Sequence, residues 1–265
     1  MSASWDQGES YEEFMGKWSR LLAPKFLSWA RVPSQTRVLD VGCGTGALTE
    51  AVLASGAEQV TAIDPSSAFI DHARSRLANA AHAVEFRVGD AMNLPLADES
   101  FNATLSELAL NFIPDPARAL QEMRRVAKTG GIVSCCVWDY ADGMKMLRYF
   151  WDSAAALDAA SMSLDEGVCF PLCQPRPLKR LFEDAGLSRV EVGSIEIETL
   201  FHGFSDYWNP FLGGQGPAGR YLMSLDEGSR ASLRRRLRVE LPTSPEGWIR
   251  LTARAWAVKG FKTPT

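Results

Sequence analysis

Between residues 11 and 29 the apolar side chains Tyr11, Phe14, Met15, Trp18, Leu22 and Phe26 recur at spacings of three and four, the period of an amphipathic helix. Pro24 marks a break or a new helix start within it. From Arg37 the pattern changes to short apolar runs separated by turns and helical stretches. It predicts strands over 37–41, 60–63, 84–88, 103–108 and 132–137, with helices over 47–55 and 68–79 between the first three. Asp115 as an N-cap, followed by Pro116 at the first helical position, opens another helix that runs to about 127 and stops at Gly130-Gly131. Strands alternating with helices specify an α/β, doubly wound, mostly parallel sheet covered on both faces.

The second half stretches this alternation. A long amphipathic helix over 143–160 and a shorter one over 177–185 precede a strand over 190–200. An aromatic, glycine-rich loop over 204–219, a helix over 226–239 and a last strand over 251–258 follow. With no internal repeat and no Ser/Gly linker, residues 1–265 are expected to form a single domain. Its parts are a helical segment (1–35), an alternating core (36–140) and two insertions (141–175 and 201–245).

Composition narrows the class. Hydrophobic residues make up 46% and charged residues 23% of the chain, enough apolar material for a large core and incompatible with general disorder. A net charge of −4 argues against nucleic acid as a partner. The first residues lack the basic and apolar regions of a secretory signal, and no apolar run approaches the roughly 20 residues of a membrane span. The expectation is a cytoplasmic protein with reduced thiols.

Val38-Leu39-Asp40-Val41-Gly42-Cys43-Gly44-Thr45-Gly46 leads a buried strand into a glycine turn and then a helix. Alternate glycines bend the backbone tightly and let a ligand reach its N–H groups. The next strand ends in Ile63-Asp64-Pro65, which sets a carboxylate at the neighbouring edge, where it can accept both hydroxyls of a ribose. A dinucleotide turn would read G-x-G-x-x-G; here an acid precedes the first glycine and position 47 is alanine. The additional carboxylate suits a cationic ligand better than a pyrophosphate.

This segment resembles the first signature of the class I S-adenosylmethionine-dependent methyltransferases, and the resemblance continues along the chain. Val88-Gly89-Asp90-Ala91 is similar to the third-strand signature of that family. Leu94-Pro95 and Asp98-Glu99-Ser100-Phe101-Asn102 resemble its small-molecule branch, with Asn102 in place of the usual Asp. The stretch 119–131, ALQEMRRVAKTGG, resembles that branch's EMxRVLKPGG, with Thr129 in place of Pro. The similarity covers about residues 36–138 strongly. It implies a Rossmann-like seven-stranded sheet of order 3-2-1-4-5-7-6 with strand seven antiparallel. It implies S-adenosylmethionine as cofactor, held around Asp40, Gly42, Gly44, Thr45, Gly46, Asp64, Pro65, Asp90, Ala91, Met92, Ser106 and Glu107. Asp64 would take the ribose and Asp90 the adenine amino group. The N-terminal helix resembles a lid in which Tyr11, Trp18 and Arg20 face the cofactor, and the two insertions would cap the acceptor.

The implied activity is methyl transfer to O, S, N or C of a small-molecule acceptor, with release of S-adenosylhomocysteine. Such a transfer chiefly needs in-line placement of the nucleophile. A base is needed only where the nucleophile must lose a proton. Candidates to meet the acceptor are Asn111 after strand four, Asp139 and Tyr140 after strand five, and His202 near the end of strand six. The Asn/Asp-Pro-Pro-aromatic element of nitrogen-directed nucleic-acid methyltransferases is replaced here by Asn111-Phe112-Ile113-Pro114. Two other functions share such a sheet: a non-catalytic cofactor-binding partner subunit, and a nicotinamide-dependent oxidoreductase, whose G-x-G-x-x-G turn is missing.

Three features are set aside. Cys135 and Cys136 are adjacent in a strand and face opposite sides. Cys169-x-x-x-Cys173 has no second pair of ligands nearby in sequence, so no metal is expected. Arg234, Arg235, Arg236 and Arg238 spread around a helix as a solvated face.

Overall fold

In the computed structural model, residues 12–264 are described. The apolar stripe that begins the chain forms a π-helical turn, Glu12–Gly16, that runs into helix α1, Lys17–Ala30. Pro24 lies inside α1 and does not break it. Its ring is exposed, whereas Leu22, Ala23, Phe26 and Leu27 are buried, so packing of that face outweighs the one hydrogen bond that proline forfeits.

The strands are β1 (Arg37–Val41), β2 (Gln59–Asp64), β3 (Val84–Val88), β4 (Phe101–Glu107), β5 (Ala127–Trp138), β6 (Leu187–Phe201) and β7 (Ile249–Lys262). They form one seven-stranded sheet of order β3-β2-β1-β4-β5-β7-β6. β1 to β5 pair in parallel, and β7 runs antiparallel to both β5 and β6. This is the order and polarity that the family resemblance implies.

Alternation along each strand feeds two cores. Val38 and Cys136 join a cluster on one face with Leu22 and Phe26 of α1, Leu48 and Val52 of α2 (Ala47–Ala54), and Phe150 of α5 (Lys145–Leu157). Leu39 and Cys135 join the other, with Leu120 and Met123 of α4 (Pro116–Val126) and Leu178 and Phe182 of α7 (Pro175–Asp184). Helix α3, Ser67–Arg76, lies between β2 and β3, and the short α6, Glu166–Cys169, lies between α5 and α7. Asp115 caps α4 by accepting from the Arg118 N–H at 2.9 Å, as its sequence position suggests.

The second half departs from the expected boundaries. β6 and β7 extend beyond 190–200 and 251–258 because each stabilises the other along a long antiparallel ladder from Leu187↔Lys262 to Phe201↔Ile249. The stretch expected to be a loop folds as α8, Phe204–Leu212, and α9, Gly216–Ser224, ahead of α10, Glu227–Glu240. Pro210 and the glycines at 213, 214 and 216 obscure the helical period there. Tyr207, Trp208 and Phe211 supply the buried face that forms it.

Candidate functional site

The turn after β1 is folded by glycine where other residues fail. Gly42 has φ +72°, and a Cβ on it would sit 2.4 Å from the Ala109 Cβ in the loop after β4. The N–H groups of Gly42 and Cys43 both donate to the Ile63 carbonyl, at 2.7 and 3.0 Å, which fixes the turn to β2. At the end of β2, Asp64 completes the arrangement: its Oδ2 accepts from the Gly44 N–H and its Oδ1 from the Ser66 N–H, each at 2.9 Å. Burial nonetheless pushes the Asp64 carboxyl above its ordinary pKa, despite those two bonds. One strand further, Asp90 Oδ1 accepts from the Met92 N–H at 2.8 Å and shapes the loop after β3.

These strand ends border a cleft of about 750 Å³. Its lining includes the strand-end residues Gly42, Gly44, Asp64, Pro65, Asp90, Ala91, Met92 and Glu107. Leu108, Phe112, Ile113, Pro114, Trp138 and Tyr140 add apolar and aromatic surface to the same lining. Neither lysine nor arginine is among the described residues that line it.

Beneath the glycine turn lies a smaller cavity of about 30 Å³ bordered by Ser19, Asp40, Thr45 and Glu107. Asp40 is fully buried, and its Oδ2 accepts from the Thr49 hydroxyl at 2.6 Å. Its Oδ1, Glu107 Oε1 and Ser106 Oγ are buried without a hydrogen-bond partner among the described residues. Burial raises the Asp40 carboxyl to about 7, the Thr49 bond opposing and the neighbouring Asp64 charge adding to the rise. Burial, with the Asp40 charge, pushes Glu107 well above the carboxylate range. Unsatisfied buried acceptors are costly, and a cationic group would satisfy them.

The other expected site residues separate. Thr45 and Arg20 both bind Glu12: the Thr45 hydroxyl donates to its Oε1 and the Arg20 guanidinium pairs with its Oε2. Gly46 has φ +88° and caps α2. Trp18 is buried against Phe201, ring centroids 5.3 Å apart, and does not line the cleft, because the helical stripe turns it towards β6. Met15, three residues earlier, lines the cleft instead. Tyr11 lies outside the described residues.

Of the four acceptor-facing candidates, only Tyr140 lines the cleft, with its ring 5.8 Å from Phe170, which in turn packs edge-on to Phe112 at 5.2 Å. Asn111 sits in the 3-10 turn Leu110–Phe112 with a buried Oδ1 that finds no partner among the described residues. Asp139 is buried and engaged away from the cleft: Arg254 Nε donates to its Oδ2 at 2.7 Å, and the Asp142 N–H donates to its Oδ1 at 3.1 Å. A carboxylate held by a guanidinium and a backbone amide serves as a clamp between β5 and β7, not as a base. His202 is exposed, with its ring 5.4 Å from Trp248, outside the cleft lining. β6 is the edge strand farthest from β1 in its half of the sheet, so the end of β6 cannot bring His202 to the glycine turn.

Sequence reading missed Glu12, Met15, Phe69 and Arg76. The helical stripe contains Met15, but nothing local signals that Arg76, at the far end of α3, returns to within 3.9 Å of Glu12. The aromatic residues Phe150, Trp151, Tyr207, Trp208 and Phe211 of the two insertions expected to cap the acceptor are buried. Phe150 stacks on Phe211 at 4.7 Å.

A glycine turn after β1, acids at the ends of β2 and β3, and a sheet with an antiparallel seventh strand define a Rossmann-like methyltransferase. Residues 39–135 match the family model described as a methyltransferase domain. Demethylmenaquinone methyltransferase of Staphylococcus aureus is 34% identical over 173 residues, covering 60% of this chain and 70% of that protein. Among solved structures, a candidate methyltransferase of Bacillus halodurans superposes with a TM-score of 0.60 at 19% identity, covering 91% of this chain and 98% of its own. Phosphoethanolamine N-methyltransferase 2 of Haemonchus contortus, in complex with phosphomonomethylethanolamine and S-adenosylhomocysteine, gives 0.60 at 16% identity, covering 97% of this chain and 57% of its own. The chain belongs to the class I S-adenosylmethionine-dependent methyltransferases.

Proposed function

We propose that this chain methylates a small, largely apolar and planar acceptor whose nucleophilic atom ionises without help from a protein base. The observation that carries this reading is the mixed lining of the cleft, in which Asp64, Asp90 and Glu107 stand with Phe112, Trp138 and Tyr140 and no cationic side chain is among the described lining residues.

The donor set fits S-adenosylmethionine. Asp64 keeps unused lone pairs for ribose hydroxyls, Asp90 stands where an adenine amino group can donate, and Asp40 and Glu107 present unpartnered buried oxygens to a cationic amino group. When bound, the cofactor supplies a methyl carbon on a positively charged sulfur, and that charge disappears on transfer. The chain's own contribution is placement and exclusion of water. Leu108, Phe112, Trp138 and Tyr140 supply apolar surface, where a flat acceptor gains both area burial and ring-to-ring contact. With Asp139 committed to Arg254 and His202 remote, proton removal falls to the acceptor's own acidity. Thiols, phenols and hydroquinones meet that requirement better than alcohols, and a neighbouring sulfonium charge favours their anions where it disfavours an ammonium.

The likeness to a demethylmenaquinone methyltransferase supports a quinol-type acceptor. A phosphate-bearing acceptor, as in the Haemonchus enzyme, would find no counter-charge along this cleft. The test is release of S-adenosylhomocysteine across reduced naphthoquinones, phenols, thiols and phosphoethanolamine. Turnover of the first three that follows acceptor ionisation is expected. Turnover confined to phosphoethanolamine would overturn the proposal.

A further inference from the structure

The carboxylate of Glu12 is bound more thoroughly than a helix-start contact requires. The Thr45 hydroxyl in the glycine turn donates to one of its oxygens, and Arg20 pairs with the other. Arg76 Nη1, buried and without a hydrogen-bond partner among the described residues, lies 3.9 Å from Oε1. Gly16 leaves the space: a Cβ there would sit 2.5 Å from the Glu12 carboxyl carbon. Gly16 has φ −57°, so its backbone conformation does not call for glycine and the missing side chain serves the carboxylate. Burial alone would raise the Glu12 pKa, but the Thr45 and Arg20 bonds and the Arg76 charge hold it below the ordinary value, so the group is ionised at neutral pH.

A second feature adjoins the first. Thr45 also borders the small cavity onto which Asp40 and Glu107 open, with their unpartnered oxygens. A carboxylate-binding group and a cation-seeking group thus meet at one residue, the arrangement that an α-amino acid end with both charges requires. The chain's own Glu12 fills the anionic half.

We propose that Glu12 is an affinity-setting residue that occupies the position of the cofactor's α-carboxylate, so that the cofactor enters by exchanging its carboxylate for that of Glu12. This rests on the cofactor reading given above. While Glu12 is seated, Arg20 and Thr45 are unavailable, whereas Arg76 also pairs with Glu50, and the apparent affinity falls by the fraction of molecules in which the site is open. Displaced, Glu12 takes the π-helical turn Glu12–Gly16 with it, which links cofactor entry to movement of the segment ahead of α1.

The experiment is calorimetric titration of the full chain and its Glu12→Gln variant with S-adenosylhomocysteine and with 5′-methylthioadenosine, which carries the nucleoside but no amino acid. Glu12→Gln is expected to tighten S-adenosylhomocysteine binding by about three- to tenfold, corresponding to an open fraction of roughly 10–30%. Binding of 5′-methylthioadenosine is expected to change by less than about twofold. Arg20→Gln should weaken the first ligand and spare the second. Thermal melts establish that the variants fold, and Glu12→Ser replaces Glu12→Gln if the latter does not. Unchanged or weaker S-adenosylhomocysteine binding by a folded Glu12 variant overturns the proposal and leaves the cofactor reading intact. Failure of the unaltered chain to bind either ligand overturns both.

Discussion

The glycine-turn side of the cleft and the helical insertions after β5 and β6 bury polar groups in different settings. In each region burial lifts a carboxyl to about 7, Asp40 under the turn and Glu166 in the insertion between β5 and β6 that packs against α9. Glu166 accepts from the Trp151 indole N–H, whereas Asp40 leaves Oδ1 without a partner among the described residues, beside a cavity. In the insertions aromatic rings meet aromatic rings, and the buried atoms without a partner among the described residues, such as Gln215 Oε1 and Arg236 Nε, are scattered and include donors. The turn side leaves acceptors open. Protein interiors seldom leave such groups unpaired without a functional reason, and the two acid oxygens under the turn differ from the scattered atoms of the insertions in being gathered beside one cavity, as a ligand site requires.

The sharpest way to break this contrast is at Gly42. Gly42→Val should destabilise the fold by about 2–4 kcal/mol, since it forces a side chain into Ala109 at a positive φ. S-adenosylhomocysteine binding should fall by at least about 100-fold, measured by denaturant melts and titration together. A variant of equal size at Gly44, where a Cβ meets nothing within 4 Å, should lose affinity with less loss of stability. Next in size is Asp64→Ala, which removes the acceptor for the Gly44 and Ser66 amides as well as the proposed ribose contact. It should cost roughly 10- to 100-fold in S-adenosylhomocysteine affinity, in line with hydrogen bonds to a charged group. Retained affinity would remove Asp64 from the site.

What was legible follows from the same contrast. The core from β1 to β5 could be read because each device is local: a strand into a glycine turn, an acid at a strand end, Asp115 before Pro116. Strand order came from the family resemblance that the motifs along this core carry. The insertion could not be read locally. α8 and α9 are held by Phe211 and Tyr221 meeting Phe150, and by Tyr221 meeting Trp151, residues more than fifty positions earlier, and the glycines around them argued for a loop. Asp139 and Arg20 show a subtler limit. Their positions after β5 and in α1 were correctly placed along the chain, but each carboxylate–guanidinium partner, Arg254 and Glu12, comes from a different element.

The acids themselves offer a third test. Asp40 ionises near pH 4 when unfolded and about 7 when folded, so the folded protein holds its proton longer. Its contribution to stability is therefore complete below about pH 4 and is lost as pH rises through 7, with a slope of at most about 1.4 kcal/mol per pH unit. Glu166 shares this direction and window. Glu12 and Glu122, whose pKa values are held down, act oppositely and lose their contribution as pH falls through the acid range. Urea melts from pH 4 to 8 should show stability declining toward the alkaline end. Asp40→Asn should flatten that decline by about 1–2 kcal/mol, since an amide buries without charge. An unchanged slope would mean that water or another group solvates Asp40 in the folded chain.

The smallest effects distinguish cleft residues from residues that merely follow the same strands. Tyr140→Phe keeps the ring that faces Phe170 and removes only the hydroxyl, so cofactor affinity should stay within about twofold. KM for a planar acceptor should rise by at most about fivefold, as expected for one neutral hydrogen bond. Asp139→Asn should instead lower stability, because Arg254 loses part of its clamp, and should leave the pH profile of turnover unmoved. His202→Ala, which removes an exposed ring resting on Trp248, should alter neither stability by more than about 0.5 kcal/mol nor turnover at any pH. A loss of the acid-side limb of the pH profile in His202→Ala would restore a histidine base and require the end of β6 to swing over the cleft. An unshifted profile leaves proton removal with the acceptor, where the aromatic wall can select for acidity only by selecting for shape.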